Sequence, residues 1–168
     1  IVDKYVSADG SVLISYAADN YGMYGFLYHR SASKHNKGEF RNVRYWDTNQ
    51  FLGKIPEAPI TYNVVGNINE NQVAIAETTF GGREELVDTT ATMDYGSMIY
   101  IALERSRTAR EAIKIMTDLV ETYGYNSEGE TFTIADKNEA WIMEMVGKGN
   151  VEKGAVWVAV RVPDDCIC

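Results

Sequence analysis

The 168 residues are 45% hydrophobic and 24% charged, enough apolar content for one domain with a sizeable core and too little polarity for a disordered chain. A formal net charge of −8, from 24 acidic and 16 basic side chains, disfavours a nucleic-acid partner, which needs clustered Lys and Arg. No apolar run nears the roughly 18 residues of a membrane span, and neither the cysteines nor His29 and His35 have zinc-site spacing, so no membrane, metal or cofactor is expected.

The first third reads as strands. Ile1 to Val6 is short and apolar-rich, and Asp9-Gly10 carries turn chemistry. In Ser11 to Ala17, Val12, Ile14 and Tyr16 alternate with Leu13, as in a strand buried on both faces. Tyr21 to Arg30 is aromatic-rich, with a bend expected at Gly22 and Gly25. Ser31 to Gly38 reads as a polar surface loop and Phe40 to Trp46 as a strand. Asn49 to Pro59 holds two of the three prolines and reads as an irregular connection. A hairpin follows, with Ile60 to Val65, a turn over 66–71, and Gln72 to Ala76. Thr78 to Glu85 then reads as a glycine-bearing loop.

Two helices occupy the middle. The first, near Tyr95 to Arg105, is apolar on most sides and should be buried against a helix and a sheet. The second opens on a capping box, Thr108 with Glu111. Ile113, Met116, Val120 and Tyr123 share one face of it, and Gly124 stands where a C-terminal cap belongs. The chain closes with strands over Thr131 to Ala135, Ala140 to Val146 and Ala155 to Val162.

Strands, two helices, then strands indicate α+β rather than alternating βαβ. Two-sided apolar stretches such as 12–17 and 155–160 imply sheet packed on sheet with helices outside. The expectation is a single domain over 1–168 built as a four-layer αββα sandwich. Exposed apolar strands in such a sandwich favour self-association into a homo-oligomer.

Familiar catalytic patterns are few. Gly81-Gly82 is too short for a phosphate loop, and no Gly-x-Ser-x-Gly elbow accompanies the histidines. Glu139 and Glu144 flank a strand as solvated edge carboxylates do. Cys166 and Cys168 read as ordinary strand cysteines.

Four segments carry more information together than singly. They are Ala8-Asp9-Gly10-Ser11 leading into Ser15-Tyr16-Ala17-Ala18-Asp19; residues 61–70 (TYNVVGNINE); residues 75–83 (IAETTFGGR); and residues 134–144 (IADKNEAWIME). In order and spacing they resemble the dipeptidase A and secernin family of cysteine N-terminal-nucleophile (Ntn) peptidases. The resemblance implies an αββα fold shared with penicillin V acylases and bile-salt hydrolases, and hydrolysis of small peptides, dipeptides of broad side-chain tolerance. In that family the mature chain starts with Cys-Thr, a few residues ahead of the segment equivalent to Ile1-Val2-Asp3-Lys4. The cysteine thiolate attacks the scissile carbonyl and its own α-amino group serves as base. On this pattern residues 1–168 are the front portion of a longer protein, cut at both ends. The nucleophile lies just upstream of Ile1, and the printed residues alone should be inactive.

The same resemblance singles out supporting residues. Asp19 matches the aspartate placed beside the nucleophile, where a carboxylate orients the ammonium and thiol protons. Tyr16 stands where many relatives carry Arg. Thr79 falls where the acylase branch completes its oxyanion hole. Glu77 and Arg83 are candidate clamps for a dipeptide's ammonium and carboxylate. Asn67, like Asn69, is divided between shaping the hairpin turn and touching substrate. An acylase-type amidase acting on N-acyl substrates is the alternative chemistry, and a catalytically inert scaffold the alternative class. The compartment is left open.

Overall fold

A computed structural model describes residues 1–17, 22 and 25–168. Its elements run β1 (His29–Arg30), β2 (Ser33–Lys34), β3 (Phe40–Arg44), β4 (Phe51–Pro56), β5 (Ile60–Thr61), β6 (Val64–Val65), β7 (Ile68–Asn69) and β8 (Ala74–Gly81). Helices α1 (Tyr95–Arg105) and α2 (Ala109–Tyr123) follow, then β9 (Gly129–Ala135), β10 (Ala140–Gly147) and β11 (Ala155–Arg161). Seven strands form one antiparallel sheet in the order β1-β6-β7-β8-β9-β10-β11. Two ribbons, β2–β5 and β3–β4, stand apart from it.

The helices form where the sequence predicts them, for local reasons. Asp94 caps α1 by accepting a hydrogen bond from the Ser97 N–H, and the Thr108 side chain accepts from the Glu111 N–H. The returning arm of that box goes one residue further, the Glu111 carboxylate accepting from the Arg107 N–H at 2.8 Å. Gly124 ends α2 at φ 77°, a conformation that costs a side-chain-bearing residue but not glycine. Met116, Leu119 and Val120 on α2 and Met98, Ile99 and Leu103 on α1 are buried. They pack with Ile75, Phe132, Ile134, Met143 and Met145, which point to the same face of β8, β9 and β10. Each such side chain contributes about 1.5–3 kcal/mol by leaving water.

The opposite face of the sheet is covered only in part. Ile1, Val12 and Ile14 pack on a small cluster of Ala135, Ala140 and Val162, while Val156, Val158 and Val160 are 52–64% exposed. The described residues therefore form an α+β unit with one large sheet and a helix pair on one side. The apolar alternation of 155–160 is real, but only Ala155 and Ala159 meet the helical core.

Several expected boundaries shift. Residues 1–6 and 11–17 are not continuous strands, and Val2 makes isolated bridges to Leu13 and Ile167. Only His29–Arg30 of the aromatic stretch is a strand, and the polar loop contains β2, paired to β5. The proline-bearing connection holds β4, which tolerates Pro56 at its end because an edge ribbon leaves that position without a required donor. The hairpin's long turn contains β7, and β8 continues through Thr78 and Thr79 where a loop was expected.

Candidate active site

The helix-facing side of β8 and β9 changes character along its length. Ile75 lies opposite Ile134, and Glu77 opposite Phe132, both pairs on the core side. One step further Thr79 faces Glu130. Apolar pairs give way to three polar side chains aimed at the same side of the sheet, and there an open cavity of about 580 Å³ lies between these strands and the start of α1.

Four parts of the chain supply its walls. The N-terminal segment contributes Tyr16 and the turn between β6 and β7 contributes Asn67. The stretch after β3 brings Tyr45, Trp46 and Asp47, and α1 brings Tyr95, Gly96 and Tyr100. Trp46 is held by its backbone N–H, which donates to Asp94 Oδ2 at 3.1 Å. Its indole leans on the Tyr100 ring with centroids 4.8 Å apart. That approach depends on Gly96, since a Cβ there would meet the indole at 2.4 Å. The Tyr95 hydroxyl donates to Asp47 at 2.9 Å. Burial and then Asp47 hold the Tyr95 phenol well above the ordinary tyrosine range.

Glu130 is 1% exposed. Its Oε1 accepts from the Thr79 hydroxyl at 3.0 Å, and its Oε2 has no further hydrogen-bond partner among the described residues. Burial above all, then a hydrogen bond shared with the neighbouring Glu77, pushes its carboxyl up to about 8. Glu77 Oε1 accepts from the Tyr16 hydroxyl at 3.2 Å, and its Oε2 is likewise buried without a further partner. Burial first and Glu77 second push Tyr16 up to about 12. With Asp47 and Glu128 the lining carries four carboxyl groups and, among the described residues, no Lys, Arg or His. Such a lining attracts a cation and repels an anion.

Of the residues singled out by sequence, Glu77, Thr79 and Asn67 are brought to this one cavity. The Asn67 amide is already engaged, donating to the Ile75 carbonyl at 2.8 Å. The neighbouring Asn69 is buried and donates to the carbonyls of Leu103 and Ser106, tying β7 to the end of α1. Arg83 is not brought there. It lies past the end of β8, where its guanidinium pairs with Glu85 at 2.8 Å and stays largely in solvent. Asp19 lies outside the described residues. Neither histidine lines the cavity. Sequence patterning starts this strand at Thr131 and so does not single out Glu130, which the structure places inside β9. The signal was nevertheless present, since Glu130, Phe132 and Ile134 share one parity.

Comparison with known proteins adds a family. The model described as Peptidase family C69 matches residues 1–168. A probable dipeptidase of Latilactobacillus sakei is 30% identical over 184 aligned residues, covering 99% of this chain and 37% of that protein. A probable dipeptidase of Salmonella dublin is 27% identical over 187, covering 98% and 40%. A probable dipeptidase B of Lactococcus lactis subsp. lactis (strain IL1403) is 30% identical over 129, covering 66% and 26%. The chain thus spans 37–40% of the length of the first two.

Proposed function

The chain belongs to peptidase family C69, and on that premise we propose that it is the forward part of a cysteine-type Ntn peptidase that hydrolyses dipeptides. The observation that carries the reading is the cavity, lined by four carboxyl groups and no basic side chain among the described residues. It suits the free ammonium end of an unblocked peptide better than the neutral cap of an N-acyl substrate.

In this reading a cysteine upstream of Ile1 is the nucleophile. The antiparallel bridge of Val2 to Leu13 supports it. Continued in register, residues ahead of Ile1 would run beside Ser15, Tyr16 and Ala17, and Tyr16 and Ala17 line the cavity. The thiolate attacks the peptide carbonyl and the α-amino group takes the thiol proton and passes it to the leaving amine. Water then cleaves the thioester. Thr79 donates toward the developing oxyanion once its hydroxyl turns from Glu130, to which it donates in this structure. Glu77 faces the substrate's ammonium, and Asp19 orients the nucleophile's protons. In this reading Val2, bridged by Leu13 and Ile167, would belong to a second β layer over the exposed face of the large sheet. A completed αββα sandwich would cover Val156, Val158 and Val160.

The test is hydrolysis by the full-length protein against a panel of dipeptides and a panel of N-acyl amino acids. Dipeptide cleavage that vanishes when the upstream cysteine is replaced by alanine is expected. Cleavage of the N-acyl panel alone would turn the assignment to an acylase-type amidase, and no cleavage of either to an inert scaffold.

A further inference from the structure

The carboxyl pair at the cavity floor is reconciled by a shared proton and by no cation among the described residues. Two adjacent strands aim Glu77 and Glu130 to one side, diagonally across the ladder. With one proton between them the two carboxyls hydrogen-bond each other, and neither Oε2 has any further partner among the described residues. Holding two carboxyls side by side away from water without a cation is costly, whereas the buried Glu104 and the part-buried Glu57 are paired with Arg41. We propose that Glu130, acting with Glu77, seats the free α-ammonium group of the substrate and makes the site selective for unblocked peptides. The inference rests on the reading above that this cavity takes the substrate.

Stoichiometry of donors supports the choice of ligand. A primary ammonium offers three N–H donors. Two satisfy the free oxygens of Glu77 and Glu130, and the third remains for Glu77 Oε1 or a nearby carbonyl. A blocked nitrogen offers one N–H and no charge, so it would strand one carboxyl oxygen in a buried setting. Sites built to pair a polar group reject analogues that lack it.

Occupancy is coupled to a proton. Among the described residues the groups facing Glu130 are Glu77 and Thr79 from β8, Glu128 from the approach to β9, and the phenols of Tyr16, Tyr95 and Tyr125. None is cationic. Near neutral pH the empty pair therefore keeps one proton on Glu130, which relieves the repulsion between the two carboxyls. An arriving ammonium supplies the positive charge instead, and the proton leaves to solvent.

Two measurements on the full-length protein test this. The first compares kcat/KM for alanyl-alanine and for propionyl-alanine, its des-amino analogue, in the natural protein and in Glu130→Gln. The variant should lose about 10- to 100-fold on the dipeptide, mainly in KM, the range for losing a hydrogen bond to a charged group. On the des-amino analogue it should lose less than about 3-fold, and Glu130→Asp should recover part of the dipeptide loss. Equal losses on both compounds, or none, would overturn the assignment, and the analogue's rate also reports that the variant is folded. The second is calorimetry of dipeptide binding in two buffers of different ionisation heat at pH 7, with the upstream cysteine replaced by alanine. Net proton release that disappears in Glu130→Gln is expected, and binding without release defeats the proposal. If neither compound is cleaved by the natural protein, the peptidase reading fails while the calorimetry still decides on the ammonium site.

Discussion

Glu104 and Glu130 are both buried glutamates, 4% and 1% exposed, yet their surroundings are opposite. Glu104, near the end of α1, is met by the guanidinium groups of Arg30 and Arg41. Arg41 and Arg105 in turn share Glu57. Arg30 also lies over the Tyr100 ring, 4.6 Å from its centroid. Every charge in that knot has an opposite charge beside it, although Arg105 Nε and one oxygen each of Glu57 and Glu104 lack a hydrogen bond among the described residues. Glu130 has one hydroxyl, one like-charged neighbour and an open cavity. The contrast separates buried charge that holds a fold from buried charge held ready for something else. Burial alone does not make the distinction; the inventory of partners does.

The largest test of that contrast is Glu104→Ala. It leaves the part-buried Arg41 with Glu57 alone and frees the more exposed Arg30, so it should lower unfolding free energy by about 2–3 kcal/mol in urea titration, below the full cost of breaking a buried pair. A loss under about 1 kcal/mol would mean the knot is no more structural than the carboxyl pair.

Glu130→Gln should go the other way. Because the native carboxyl titrates near 8 and an unfolded one near 4.3, the native state binds the extra proton between those values. The natural protein therefore loses stability as pH rises through that window, and holds its full contribution below it. The glutamine variant lacks this slope. Relative to the natural protein it should gain about 1–3 kcal/mol by pH 9 and nothing at pH 4, the cost of one uncompensated polar group. Parallel stability profiles across pH would break the comparison.

Thr79→Val removes the one hydroxyl that favours the charged form of Glu130. It should cost about 0.5–1.5 kcal/mol and move the Glu130 titration upward, visible by NMR of the labelled carboxyl carbon. The smallest effect is expected from Tyr16→Phe. Its hydroxyl bond to Glu77 sits at a partly open rim, so stability should change by no more than about 0.5 kcal/mol. A larger loss would extend the pair's network to the N-terminal segment.

What sequence made legible follows from how local each signal is. Thr108, Glu111 and Gly124 write the ends of α2 within a few residues of chain, and the structure agrees with them. Glu77 and Thr79 stand out through family likeness, but Gly81-Gly82 make Thr78 to Glu85 read as a loop and hide the strand that carries them. Only pairing with 129–131 makes β8 continue there. β4 was hidden by Pro56 and Pro59 for the same reason: an edge ribbon is decided by a partner, not by propensity. Glu130 shows the subtler failure. Its alternation with Phe132 and Ile134 marks a core-facing position, but a charged residue at a strand's start looks like a boundary until a cavity is seen beside it.

The close seating of Trp46 against Gly96 has a practical corollary. The other two tryptophans, Trp141 and Trp157, belong to β10 and β11 and do not line the cavity. With both changed to phenylalanine, the remaining indole becomes an optical gauge of the chamber it borders. Its emission should shift when a guest displaces water there, giving a continuous signal for occupancy that requires no bond to be broken.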